Sequence, residues 1–151
     1  MIALGSDHAG YELKQVIMNH LEERKIEFKD YGTYTADSCD YAVFAEKTAR
    51  AVANGECTLG LLFCGTGVGI SIAANKVKGI RACCCSDLFS AEMTRLHNNA
   101  NMLCLGGRVV APEKAIEIVD IFLDTPFSGE ERHQRRIDQI TDLENRFNQE
   151  V

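Results

Sequence analysis

Apolar residues follow two alternating patterns along the chain: short continuous runs, and stripes with a spacing of three or four residues. The runs predict strands over residues 2–6, 26–31, 59–64, 80–85 and 102–105. The stripes, with their flanking glycines and prolines, predict helices over residues 11–24, 40–54, 70–76, 86–99, 112–124 and 129–149. Strand and helix thus alternate five times, which is typical of a parallel sheet with helices on both faces.

This order predicts a three-layer α/β/α Rossmann-like fold with a five-stranded parallel sheet and an extra C-terminal helix. A length of 151 residues suits a single domain, residues 1–151. The fourth strand is rich in small residues, and we expect it to be central, whereas the second strand alternates and should be less buried. No strand follows the last helix, so we expect its half-apolar side to pack on another subunit.

The third strand leads into Cys64-Gly65-Thr66-Gly67-Val68-Gly69, in which three glycines alternate before a helix. Glycines let the backbone turn tightly and approach a ligand closely. The free N–H groups at the helix start favour an anion, so this turn is a candidate anion cradle. Cys64 ends the strand and faces the cradle, where a thiol can act as a base or a nucleophile.

A second polar loop, Asp7-His8-Ala9-Gly10, follows the first strand. In an open parallel sheet, ligands bind at the carboxyl ends of the strands, where the strand order reverses. We expect the loops after the first and third strands to meet there. Asp7 is as well suited to cap the first helix as to act as a catalytic group, and it could serve in both roles.

The composition excludes several classes of function. Sixteen lysines and arginines stand against 22 aspartates and glutamates, and a net charge of −6 argues against nucleic-acid binding. No apolar run reaches membrane-spanning length and no cationic leader is visible, so we expect a cytoplasmic protein with no membrane partner. Seven cysteines without a C-x-x-C spacing argue against a zinc site. We expect neither a metal nor a cofactor.

Five motifs in this chain, in the same order, resemble the type B ribose-5-phosphate isomerase family, which includes galactose-6-phosphate and allose-6-phosphate isomerases. The resemblance covers nearly the whole chain. The motifs are Ser6-Asp7-His8-Ala9-Gly10, Cys64-Gly65-Thr66-Gly67-Val68-Gly69-Ile70, Leu96-His97-Asn98, Gly106-Gly107-Arg108-Val109-Val110 and Glu131-Arg132-His133-Gln134-Arg135-Arg136. One departure is Ala42, which follows Asp40-Tyr41 where the family usually has proline.

The resemblance implies that the chain interconverts ribose 5-phosphate and ribulose 5-phosphate through an enediolate, with Cys64 as the base. It also implies a role for each remaining site residue. The enediolate oxygen would be held by the backbone amides of Gly65, Thr66, Gly67, Val68 and Gly69. His97, with Asp7 and Thr66, would open the sugar ring, and the sugar would contact Tyr41 and Asn98. The phosphate would bind to Arg108, Arg132 and Arg136, with His8 close by.

A homodimer, or a dimer of dimers, is expected, and the resemblance implies sites at the subunit interface. Geometry favours a shared site, because His97 lies about ten residues along a helix, roughly 15 Å, from the sheet edge where Cys64 ends its strand. Other interpretations stay open: a hexose 6-phosphate isomerase, a non-catalytic subunit, or a nucleotide-binding domain in which Asp30 holds a ribose. Taken alone, Arg132 and Arg136 fit a solvated helix face and His97 a helix end.

Overall fold

A computed structural model describes residues 1–149, with side chains through residue 147. Five strands alternate with five helices, and a sixth helix follows. The elements are β1 (Ile2–Ser6), α1 (Tyr11–Glu23), β2 (Phe28–Asp30), α2 (Tyr41–Ala53), β3 (Leu59–Cys64), α3 (Val68–Ala74), β4 (Ala82–Cys84), α4 (Leu88–Asn98), β5 (Met102–Gly106), α5 (Pro112–Asp124) and α6 (Glu131–Gln149).

The strands form one parallel sheet in the order β2-β1-β3-β5-β4. The predicted three-layer α/β/α fold is therefore confirmed. The order reverses between β1 and β3, since β2 lies on one side of β1 and the remaining strands lie on the other. Ser6 pairs with Phe63, and Cys64 pairs with Gly106, so β1, β3 and β5 end side by side at the reversal point.

Two apolar layers, one on each face of the sheet, hold the helices in place. Alternate residues of β3 supply both layers, as the two-residue period of a strand requires. Leu61 and Phe63 pack with α1, α4 and α5, whereas Leu62 and Cys64 pack with α2 and α3. The side chain of Cys64 therefore lies on the face that α3 covers.

The expectation that the fourth strand is central is wrong, because β4 is a three-residue edge strand that pairs with β5 alone. The small side chains of this segment instead accommodate a neighbouring loop. The sulfur of Cys84 lies 3.0 Å from where a Cβ on Gly67 would stand. β2 is also shorter than predicted and is only partly buried, as its alternation indicates.

The first turns of α6 are buried against the rest of the chain, and the remainder is largely exposed. His133 and Ile137 are buried, whereas Ile140, Leu143 and Phe147 are 51%, 61% and 68% exposed. These three form an apolar stripe with helical spacing. Among the helices of residues 1–149, no helix combines the length and the hydropathy that a bilayer-spanning segment needs.

Candidate active site

The sulfur of Cys64 lies inside the glycine turn that follows it. Cys64 is 4% exposed, and its Sγ accepts a hydrogen bond from the N–H of Gly67 at 3.1 Å. Gly67 is the N-cap of α3 and has a φ of 81°, a left-handed conformation that glycine adopts without strain. α3 thus begins two residues earlier than predicted, and its first N–H groups point into the turn.

Two side chains from other elements flank this turn where glycines leave room for them. A Cβ on Gly69 would lie 2.8 Å from the ring of Tyr41, which begins α2. A Cβ on Gly65 would lie 3.2 Å from the guanidinium of Arg108. The glycines therefore serve both the backbone turn and the close approach of Tyr41 and Arg108.

The loop after β1 packs directly on the end of β3. The N–H of Asp7 donates to the carbonyl of Phe63 at 3.1 Å, and the Oδ1 of Asp7 accepts from the N–H of Gly10 at 3.0 Å. The N-cap of α1 is Gly10, so Asp7 does not occupy the capping position; its buried carboxylate closes the turn before the helix instead. The Nδ1 of His8 accepts from the N–H of Cys39 at 3.2 Å.

The loop after β5 completes this first cluster. The N–H of Gly107 donates to the carbonyl of Cys64 at 2.8 Å, and the N–H of Arg108 donates to that of Gly65 at 3.0 Å. These bonds fix the start of an exposed Arg108 side chain beside the glycine turn. The three loops bring together a thiol, a carboxylate, an imidazole and a guanidinium, and the start of α2 adds the phenol of Tyr41.

His97 and Asn98 lie in a second cluster, at the end of α4 where α6 begins. The ring of His97 stacks on that of His133 with centroids 4.2 Å apart and planes at 17°. His133 is 6% exposed, and its Nε2 has no hydrogen-bond partner among the described residues. Burial, and then the neighbouring His97 and Arg132, lower the pKa of His133 from its ordinary value of 6.5.

Arg132 and Arg136 lie one turn apart on α6 and are both exposed. The Nε of Arg132 lies 3.1 Å from a carboxylate oxygen of Glu130, an exposed ion pair that a phosphate could replace. The second cluster thus presents two guanidinium groups close to the His97–His133 stack.

Within one chain, the two clusters are separate. Among the described residues, no hydrogen bond, ion pair or ring stacking joins His97, Asn98, Arg132 or Arg136 to the Cys64 turn. The grouping of His97 with Asp7 and Thr66 that the resemblance implies is not formed inside a single chain. The Oγ1 of Thr66 accepts instead from the N–H of Val68 at 3.2 Å.

The structure argues against a ribose at Asp30, the residue that a nucleotide-binding interpretation requires. Its Oδ1 accepts from the Nζ of Lys14 at 2.7 Å and from the N–H of Gly32 at 2.9 Å. Lys14 is fully buried, and the sequence analysis missed it. The sequence feature that indicates its burial is its position between Leu13 and Ile17, on the apolar side of a helix.

No group of three His, Cys, Asp or Glu side chains suited to a metal ion occurs among the residues that the structure describes. Metal-independent chemistry remains a prediction, to be checked by dialysis against a chelator.

Comparison with known proteins places the chain in a family. Residues 2–140 match the family described as Ribose/Galactose Isomerase. The chain is 50% identical to ribose-5-phosphate isomerase B of Escherichia coli over 147 residues, 97% of this chain and 98% of the relative. The structure of Clostridium thermocellum ribose-5-phosphate isomerase B superposes with a TM-score of 0.95 at 49% identity, covering 97% and 98% of the two chains.

A second similar structure contains a ligand. It is ribose-5-phosphate isomerase B from Mycoplasma genitalium with bound ribulose-5-phosphate. The TM-score is 0.90 and the identity 44%, and the match covers 95% of each chain.

Proposed function

This chain belongs to the Ribose/Galactose Isomerase family, and we propose that it interconverts ribose 5-phosphate and ribulose 5-phosphate. The observation that carries the proposal is the 50% identity, over nearly the full length of both chains, to a ribose-5-phosphate isomerase B. The related structure with bound ribulose-5-phosphate supports the same substrate pair. The position of Cys64 within the glycine turn supports its role as the base that this reaction needs.

We assign the proton transfer to Cys64. Its thiolate takes the proton from C2 of the open-chain aldose, and the electron pair of that C–H bond forms the enediolate. The resulting thiol returns the proton to C1, which yields the ketose, while the hydroxyl proton moves between the two oxygens. N–H groups of the turn of residues 65–69 stabilise the enediolate oxygen, although those of Gly67 and Val68 bond to Cys64 Sγ and Thr66 Oγ1 in the chain alone. Removing one oxyanion donor typically costs about 3–4 kcal/mol.

We assign ring opening and phosphate binding to two chains acting together. Asp7, His8, Tyr41, Thr66 and Arg108 belong to the cluster around Cys64. A partner chain supplies the second set, which consists of His97, Asn98, Arg132 and Arg136. The exposed apolar stripe of α6 supports a homodimer, because three large apolar side chains at helical spacing form a surface suited to a second copy.

The family description names galactose beside ribose, so a hexose 6-phosphate is the second candidate substrate. We expect no nucleic-acid partner, no membrane partner and no cofactor, and a cytoplasmic location suits a sugar phosphate as substrate. Whether two dimers associate further is a separate question, which sedimentation of the purified chain would answer.

The test is an isomerase assay on the purified protein with ribose 5-phosphate, allose 6-phosphate and galactose 6-phosphate. We expect kcat/KM to be highest for ribose 5-phosphate, and iodoacetamide to inactivate the enzyme unless a substrate analogue is present. A higher kcat/KM for either hexose phosphate would replace the pentose assignment. Absence of activity with all three substrates would refute the proposed function.

A further inference from the structure

Lys14 is a buried cation next to the candidate active site, and the proposed chemistry does not use it. Its side chain is fully buried on α1. The ammonium group donates to the Oδ1 of Asp30 at 2.7 Å and to the carbonyl of Thr33 at 2.5 Å. It also lies 5.7 Å from the ring centroids of Tyr11 and of Tyr34, within cation–π range.

These partners, apart from Tyr11, belong to the end of β2 and the loop that follows it. The Oδ1 of Asp30 also accepts from the N–H of Gly32, and the hydroxyl of Tyr34 donates to the carbonyl of Asp30 at 3.1 Å. Lys14 therefore contacts this segment at Asp30, Thr33 and Tyr34. Burying a lysine costs much free energy unless it is paired and hydrogen-bonded, so the loop and the lysine order each other.

The same loop contacts the active-site cluster at two points. Backbone bonds join Ser6 to Gly32 at 2.7 Å and to Thr33 at 2.8 Å, immediately before Asp7 and His8. At its other end, the N–H of Cys39 donates to the Nδ1 of His8 at 3.2 Å.

The bond from Cys39 determines which nitrogen of His8 carries a proton. An imidazole nitrogen that accepts a hydrogen bond is unprotonated, so the proton of the neutral ring must lie on Nε2. His8 then presents an N–H donor on its opposite side, which suits a phosphate oxygen.

We propose that Lys14 is a positioning residue for substrate binding: it fixes the loop of residues 30–39, and through the N–H of Cys39 it holds His8 as the Nε2–H tautomer. The effect on substrate binding rests on the proposed function, whereas the effect on the tautomer does not.

The tautomer is measured first, by two-dimensional NMR of the protein labelled with ¹⁵N in histidine, with the His8 signals assigned from a His8→Asn variant. In the wild type we expect a protonated Nε2 and an unprotonated Nδ1. In Lys14→Met we expect a mixture of the two tautomers, because the loop no longer holds the donor in place. An Nδ1–H tautomer in the wild type, or the wild-type tautomer kept in Lys14→Met, would overturn the proposal.

The kinetic test separates positioning from general stability. We expect Lys14→Met to raise the KM for ribose 5-phosphate about tenfold and to change kcat by less than about twofold, because the phosphate contact is weakened and the base is untouched. In a His8→Ala background, the same substitution should add almost nothing, since coupled residues are not additive. KM effects that simply multiply would contradict the proposal.

Two further variants complete the design. Lys14→Met/Asp30→Asn leaves no buried unpaired carboxylate, and it replaces Lys14→Met if that variant does not fold. Leu21→Ala, on the same helix but in the apolar core, is the stability control. It should lower stability and leave both the KM and the tautomer of His8 unchanged. An equal rise in KM in Leu21→Ala would show that loss of stability alone explains the effect.

Discussion

The backbone nitrogen of Gly67 lies 3.1 Å from the sulfur of Cys64, so the N-cap residue of α3 donates directly to the proposed base. The bond requires the left-handed conformation of Gly67, which turns the chain back over the end of β3. We propose that the same turn supplies the N–H groups for the enediolate, so that one backbone segment would hold both the base and the oxyanion donors. A change in the backbone here should therefore affect both functions.

Replacing the proposed base should stop turnover without unfolding the protein. We expect Cys64→Ala to lower kcat by about 10²–10⁴-fold, the usual contribution of a positioned base. Cys57→Ala is the matched control, because Cys57 is also buried and free but lies outside the site. Circular dichroism should show both variants folded. Near-normal turnover in Cys64→Ala would remove Cys64 from the mechanism.

Gly67 and Gly55 offer a comparison between two left-handed glycines, with φ of 81° and 78°. A Cβ on Gly55 meets nothing within 4 Å, so Gly55→Ala should cost only the backbone strain, about 1–2 kcal/mol. A Cβ on Gly67 would lie 2.9 Å from the backbone of Leu105, which adds ~1–3 kcal/mol of overpacking. Urea titration should therefore show a larger loss of unfolding free energy for Gly67→Ala than for Gly55→Ala. Activity should fall only in Gly67→Ala, and equal loss in both would show that the turn has no special role.

Arg132 and Arg136 of α6 should act on the phosphate and not on the sugar. We expect Arg136→Ala to raise the KM for ribose 5-phosphate by roughly 10–100-fold, because a hydrogen bond to a charged group contributes ~1.5–3 kcal/mol. Arg135→Ala is the control on the same helix, since Arg135 pairs only with Glu131 at 3.4 Å among the described residues and was not assigned to the site. Turnover of free ribose should change little in either variant. Equal impairment with ribose and ribose 5-phosphate would indicate a structural role for Arg136.

His133 should make the stability of the protein fall in mild acid. Burial and the neighbouring positive charges lower its pKa in the folded state below 6.5, the value expected when unfolded. Between these two values the unfolded chain binds more protons, so the free energy of unfolding decreases as the pH falls below about 6.5. His133→Phe keeps a ring for stacking on His97 but cannot be protonated. Denaturant titrations at pH 7.5 and 5.5 should show a smaller decrease in His133→Phe than in the wild type, and equal decreases would refute the assignment.

Much of the fold could be predicted from local pattern. β1, β3 and β5 are continuous apolar runs because they are the three inner strands of the sheet, and their glycine-rich ends mark the loops that meet at the site. The position of β4 could not be predicted in this way. Small residues suit a central strand and also an edge strand beside a crowded loop, and only the pairing of β4 with β5 alone distinguishes the two.

The predicted site residues form two groups in space, and strand topology accounts for only one of them. Cys64 ends an inner strand, and Asp7 and Arg108 follow the ends of two others, so topology alone brings them together. Lys14 escaped notice because its partners Asp30 and Thr33 are 16 and 19 residues away, and helical periodicity treats a lysine as solvent-facing. The stack of His97 on His133 joins α4 and α6, and the packing of these two helices cannot be predicted from local sequence patterns.

The last prediction is that one active site contains residues of two chains. Within one chain, Cys64 and His97 belong to separate clusters, and in the proposed dimer a two-fold interface would present each cluster to the other subunit. Cys64→Ala and His97→Ala chains, each nearly inactive as a homodimer, should therefore recover activity when mixed under conditions of subunit exchange. Random exchange makes half of the dimers mixed, each with one intact site of two, so recovery should approach roughly a quarter of the wild-type rate.

The matched control mixes Cys64→Ala with Asp7→Ala. Asp7 bonds to Phe63 in the same chain as Cys64, so neither site of that mixed dimer is intact and no activity should return. If mixed dimers form and His97→Ala fails to complement Cys64→Ala, or if the control pair complements equally well, then His97 does not act across the interface.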